Sequence, residues 1–159
     1  MDQIDRSFVP HVLVIHRGDK VLFPNSDNIR HHVYSFSEAR PFELKLYSGK
    51  PEAPVDFNQA GLVVLGCNIH DQMLGYIYVT DAPVFGVTDA QGQVTLDVPA
   101  DSHDIRVWHE RYSADQTAVL TVSRSRLEQN GWLLQVPLAV APAAAMPEEH
   151  QGFGNKMRH

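Results

Sequence analysis

The chain has 159 residues, 43% hydrophobic and 20% charged, a composition that fits one globular domain or two small ones. A formal charge of -6 argues against nucleic acid and anionic membrane as partners, because both recruit basic patches. No apolar run has the length of a membrane-spanning helix, so no membrane insertion is expected. The polar start, Met1-Asp2-Gln3-Ile4-Asp5-Arg6, has no leader character, which leaves two readings: a cytoplasmic protein, or a mature form whose leader was removed. The single cysteine cannot close an internal disulfide, and in an oxidising compartment a lone thiol is a liability unless a metal holds it.

Helical periodicity is scarce and β-type segments are frequent, so an all-β fold is expected. Residues 8–15 form a β-branched run in which Pro10 implies an edge or a bend. Arg17-Gly18-Asp19 reads as a turn, and residues 20–23 as a strand closed by Pro24-Asn25. The polar residues 26–30 lead into a strand over 31–36, in which Tyr34 and Phe36 are expected to face the core and to share that face with His32. Residues 42–47 alternate as a strand, and 48–54 are too rich in Pro and Gly for a regular element. Residues 62–66 run into the loop Cys67-Asn68-Ile69-His70-Asp71-Gln72-Met73, and residues 75–80 leave it as another strand.

The texture changes after Asp81. Short strands are expected over 84–88, 93–98, 104–109, 116–122 and 132–140, with a turn at Asp89-Ala90-Gln91-Gly92 and a helical turn within 125–131. The expected organisation is therefore a first domain over 1–81 and a smaller β-sandwich-like module over 82–140. A tail over 141–159 lacks apolar periodicity and is expected to be flexible.

The loop from Cys67 to Met73 places a thiolate, an imidazole and a thioether within seven residues. Those donors suit copper: two His and a Cys in a plane with a distant Met is the ligand pattern of blue-copper electron-transfer sites. Such a site requires a second His from elsewhere, and the pair His31-His32 lies upstream. A lone Cys is more commonly a small buried hydrophobe and a lone Met a core filler; the coincidence of all the donors between two strands raises the metal reading.

The pattern Gly18-Asp19-Lys20-Val21-Leu22-Phe23-Pro24-Asn25-Ser26-Asp27, then His31-His32-Val33, then Cys67-x-x-His70-x-x-Met73, resembles the cupredoxins, in particular the amicyanin and plastocyanin branch. The short donor loop has the amicyanin spacing. Residues 28–37 and 66–71 are similar to bacterial periplasmic plastocyanin-like proteins often labelled methylamine utilisation proteins. The resemblance covers residues 6–80 and implies a Greek-key β-sandwich with one copper ion, cycling between Cu(I) and Cu(II). It implies His31, Cys67 and His70 as planar ligands and Met73 as the axial one. His32 stands where the family has an Asn that ties the ligand loops together, so it is either a supporting residue or an alternative ligand. Strand alternation favours His32 as the ligand, and loop spacing favours His31, which we prefer.

The function implied is one-electron transfer in the periplasm, without catalysis, between redox proteins such as a c-type cytochrome and a periplasmic dehydrogenase. In that reading His70 is the exit edge, and Ile69, Leu74 and Pro24 form an apolar rim. The alternatives are a copper chaperone or storage protein, and a copper enzyme with an altered coordination sphere. Residues 89–96 with Arg106-Val107-Trp108-His109 resemble carboxypeptidase-regulatory or transthyretin-like modules, which are usually structural; His109 is a further candidate for approach to the copper or a partner. Met146, His150, Met157 and His159 are soft donors at loose spacing in the tail.

Overall fold

The computed structural model describes residues 1–51 and 53–139, so Met146, His150, Met157 and His159 and the expected flexible tail over 141–159 lie outside the described residues. In chain order the elements are β1 (Asp2–Ile4), β2 (Ser7–Val9), β3 (Val12–His16), β4 (Lys20–Val21), β5 (His31–Ser35) and β6 (Phe42–Tyr47). There follow β7 (Val55–Asp56), β8 (Gly61–Cys67), β9 (Leu74–Thr80), β10 (Asp104–Trp108), β11 (Val119–Ser123) and the helix α1 (Arg124–Gln129). The chain divides into two units, Met1–Ala100 and a second beginning at Asp101. Residues 82–100, which the change of texture groups with the later module, fall within the first unit, where Phe85 packs edge-on against His16 at 4.8 Å.

The first unit is built on a five-stranded sheet in the order β3-β9-β8-β5-β6. Its pairings are antiparallel except β3 with β9, which run parallel. Two smaller pairs, β1–β2 and β4–β7, add Phe8, Val21 and Val55 to the same core as Val33, Val63, Leu65 and Ile77 from the large sheet. Two layers sharing one apolar interior is how a sheet with one buried face satisfies that face. Pro10, which has no N–H for a ladder, separates β2 from β3 and so divides the expected single strand over 8–15 between the two layers.

Alternation along β5 decides which side chains enter the interior. His31, Val33 and Ser35 are buried, whereas His32 and Tyr34 are only partly so and Phe36 is 86% exposed. The expectation that Tyr34 and Phe36 face the core is therefore corrected. Phe8, Phe23 and Phe57, all fully buried, already supply the aromatic volume, and the small inward side chains of β5 leave room for them. Tyr34 instead lies over Gly66, where the missing Cβ makes space: a Cβ there would sit 2.7 Å from the ring.

A buried polar braid ties the N-terminus to this core. Gln3 is fully buried and its Nε2 donates to the carbonyls of Phe23 (3.3 Å) and Pro24 (3.0 Å) and to the Tyr47 hydroxyl, which in turn donates to the Phe23 carbonyl. Burial, together with the negative groups of Asp2 and Cys67 and against the Gln3 bond, pushes the Tyr47 phenol up to about 12.

In the second unit β10 and β11 pair antiparallel over five residues each, and Ser123 caps α1 by accepting from the Arg126 amide. The Trp108 indole donates to the Gln116 carbonyl at 2.7 Å, anchoring the connection between the two strands. Among the described residues the second unit is a hairpin with a helix, and residues 132–139, like 84–88 and 93–98 of the first unit, run without ladder pairing. Residues 84–88 and 93–98 still face one another, since the Asp89 amide donates to the Gln93 carbonyl at 2.8 Å and a Cβ on Gly86 would meet Val94 and Leu96 at 2.8 and 2.9 Å, but they form no regular ladder.

Two outcomes follow from this packing. Gly75→Ala would place a Cβ 2.7 Å from the Cβ of buried Phe8, which cannot swing away, so urea unfolding should show a loss of about 1–3 kcal/mol. Because the folded state holds the Tyr47 proton to about 12 while an unfolded chain releases it near 10, its stabilising contribution is complete below pH 10 and is lost as the pH rises toward 12. Chemical denaturation across that range should give a shallower alkaline fall for Tyr47→Phe than for the parent.

Candidate metal centre

The inward row of β8 runs Val63, Leu65, Cys67, so the cysteine is the last core residue of its strand and is 3% exposed. In the β5–β8 pairing Val33 lies opposite Cys67, which places His31 one inward position further toward the end of β8. Two residues separated by 36 positions in the chain thus become neighbours on one face. The Asn68 amide donates to the His32 carbonyl at 3.2 Å and fastens the start of the donor loop to β5.

The loop then winds through two successive turns. The His70 amide donates to the Cys67 carbonyl at 3.3 Å, and the Met73 amide donates to the His70 carbonyl at 2.9 Å. Turns of three-residue offset return every third side chain to the same side, which explains why the donors stand at 67, 70 and 73. His70 is partly exposed; Met73 is 2% exposed and belongs to the same buried cluster as Cys67.

The resulting geometry is convergent. Cys67 Sγ lies 3.7 Å from His31 Nδ1 and 3.6 Å from His70 Nδ1, and the two imidazole centroids are 5.0 Å apart. One ligand atom from each of the three residues lies within 4.8 Å of the others. An ion bound about 2.0 Å from nitrogen and about 2.3 Å from sulfur, at trigonal to tetrahedral angles, holds those atoms about 3.5–3.7 Å apart. The sulfur–nitrogen separations therefore fit a shared metal ion.

His31 is oriented from behind. Its Nε2 donates to Asp27 Oδ2 at 2.7 Å, which leaves the Nδ1 lone pair directed at Cys67. Asp27 is placed by its own loop. Its amide donates to Asn25 Oδ1 at 3.0 Å, while Asn25 Nδ2 donates to the carbonyls of Ile29 and Tyr47. The same carboxylate accepts from the amides of Asp5 (2.6 Å) and Arg6 (3.0 Å), both with positive φ in the turn between β1 and β2. Desolvation pushes the Asp27 carboxyl up, but the bonds from Arg6, His31 and Asp5 outweigh it and hold the group below the usual carboxylate range.

His32 points the other way. It is on the outer face of the sheet, with Nε2 2.8 Å from Glu43 Oε1 on β6, and only its backbone carbonyl meets the donor loop. The tie between ligand loops expected of residue 32 is thus carried by its main chain, while Asn25 and Asp27 supply the side-chain support. Their usable signal in the sequence was the Asn25-x-Asp27 Asx-turn pattern, with Asp27 four residues before His31. His109 caps a turn in the second unit, where its Nδ1 accepts from the Arg111 amide at 3.0 Å.

No family model matches the chain, and no curated protein does. Among solved structures, it is similar to a copper-containing nitrite reductase from Thermus scotoductus SA-01, at 27% identity over 51% of this chain and a TM-score of 0.47. That match spans only 22% of the nitrite reductase chain. It is also similar to a purple cupredoxin from Nitrosopumilus maritimus (21% identity, 45% of this chain and 80% of that one, TM-score 0.41). A variant of amicyanin in its reduced Cu(I) form matches at 24% identity, over 50% of this chain and 78% of that one, with a TM-score of 0.42.

Titration with a divalent transition metal should report this geometry directly. Cys67→Ala and His31→Ala should each abolish tight binding, and His32→Ala should leave the stoichiometry intact. Asp27→Ala should weaken affinity by about 10–100-fold, because it frees the far side of the His31 ring.

Proposed function

We propose that His31, Cys67, His70 and Met73 would hold one copper ion and that the protein carries single electrons. The observation that carries this reading is the pair of imidazole Nδ1 atoms at 3.7 and 3.6 Å from one buried thiol. Met73, a thioether buried in the same cluster as Cys67, favours copper, since zinc sites are completed by a further Cys, His, carboxylate or water. Bound there, copper would supply one-electron chemistry by cycling between Cu(I) and Cu(II). The chain's own contribution is to keep the donors still. His31 and Met73 are sealed in the core, the Asp27 carboxylate fixes the His31 tautomer, and the two turns of the loop hold Cys67 and His70 in register. Fixed donors remove rearrangement from the transfer step, and burial keeps water from the thiolate.

Half-buried His70 is the donor nearest to solvent, and Ile69 and Leu74 beside it are exposed apolar residues, so the loop is the natural contact for a redox protein. A c-type cytochrome or a periplasmic dehydrogenase is the class of partner that would use it. We assign the protein to the periplasm, where bound copper would protect the single thiol from oxidation. Burial of three of the four donors favours a resident ion over copper carried as cargo.

Copper(II)-loaded protein should show an intense thiolate-to-copper band in the visible, absent from Cys67→Ala, and should keep its copper through repeated reduction and reoxidation in the presence of a chelator. A colourless Cu(II) form would refute the reading, and rapid loss to the chelator would turn it toward a copper-delivery protein.

A further inference from the structure

His31 is oriented by a charged group where a neutral one would serve. Its Nε2 donates to Asp27 Oδ2 at 2.7 Å, and the Asp27 side chain is only 11% exposed. A backbone carbonyl or an amide oxygen would fix the same tautomer without the cost of withdrawing a carboxylate from water. The exposed pairs Arg17–Asp81 and Lys20–Asp56 carry no such cost. The backbone is also shaped around this anion. Asp5 and Arg6 adopt φ of 51° and 57°, left-handed conformations that non-glycine residues rarely take. Both amides so presented point at Asp27, at 2.6 and 3.0 Å, as successive N–H groups do in an anion-binding concavity. All three partners are N–H groups, and among the described residues no Lys or Arg ion-pairs with Asp27. Its negative charge is thus turned toward the His31 ring.

We propose that Asp27 is a positioning residue whose negative charge, acting through His31, favours the oxidised form of the bound ion and lowers its reduction potential. The inference deepens the copper reading and rests on it. With its Nε2–H bonded to Asp27, His31 is a neutral ligand through Nδ1. The buried negative charges are then the Cys67 thiolate and the Asp27 carboxylate. Against Cu(II) they sum to zero, whereas against Cu(I) one negative charge is left over in a low-dielectric core. Reduction adds one electron from a redox partner and moves no proton, so that surplus stays. A neutral group at position 27 would remove it. The carboxylate also makes the imidazole a stronger donor, which acts in the same direction.

Redox titration of the visible band in copper-loaded protein gives the potential, and chelator competition gives the Cu(II) and Cu(I) affinities separately. Asp27→Asn keeps an acceptor for the His31 N–H and removes the charge. Asp27→Ser does the same with a smaller side chain and serves where the amide is not accommodated. Either variant should raise the potential, because the preference for Cu(II) over Cu(I) falls by about tenfold. Cu(II) affinity should therefore drop far more than Cu(I) affinity, whereas a role in orienting the ring alone would weaken both alike. Glu43→Gln removes the exposed carboxylate paired with His32 and should shift the potential much less, since water and salt screen that charge. An unchanged or lowered potential in both neutral variants, equal loss of the two affinities, or an equal shift in Glu43→Gln would overturn the charge role while an intact band in the parent leaves the copper reading standing. Absence of the band in the parent would overturn both.

Discussion

The centre depends on the register between β5 and β8. With Val33 opposite Cys67, the inward row of one strand ends in an imidazole beside the thiol that ends the inward row of the other. A slip by one residue would turn His31 to the outer face and bring His32 inward, because side chains alternate strictly. The core resists that slip. Val33 and Ser35 are fully buried, and replacing them inside by Tyr34 and Phe36 would overfill an interior already occupied by Phe8, Phe23 and Phe57. The apolar packing of the sandwich therefore selects which of two adjacent histidines meets the cysteine.

That choice shows how far the sequence could be read. The donor loop is legible because its chemistry is local: Cys67, His70 and Met73 are spaced by turns that need no knowledge of the rest of the chain. Most strands of the first unit are legible from β-branched runs and turn residues. The face of β5 is not. Tyr34 and Phe36 are larger and more apolar than their neighbours, and alternation alone assigns them to the core. The deciding facts are the close approach of Tyr34 to Gly66 and the aromatic volume supplied by the facing layer, both products of long-range pairing. Loop spacing points to His31, and an Asn25-centred turn aims Asp27 at that ring. The later part of the chain was less legible, since residues 84–98 and 132–139 alternate like strands yet form no regular ladder.

Polar groups are used sparingly and each serves more than one contact. Asp27 binds His31 and both left-handed residues of the β1–β2 turn; Asn25 joins its own loop to β6 and to Gly49. Gln3 holds the N-terminal strand to the segment that leads into that loop. The hairpin at the N-terminus is thereby connected through two carboxylate oxygens to the ring of His31. Sequence-distant backbone is part of the support of the site, and support of this kind is costly to leave unpaired once buried.

The origin of the donors also bears on the order in which the protein assembles. Cys67, His70 and Met73 lie in a short segment between adjacent strands and can cluster as soon as β8 and β9 pair, whereas His31 arrives only when β5 closes a much longer stretch of chain. Three of the candidate donors can therefore gather before the fourth. The contact that encloses the sulfur thus needs the longer-range of these two pairings, so a complete set of candidate donors reports that β5 has met β8.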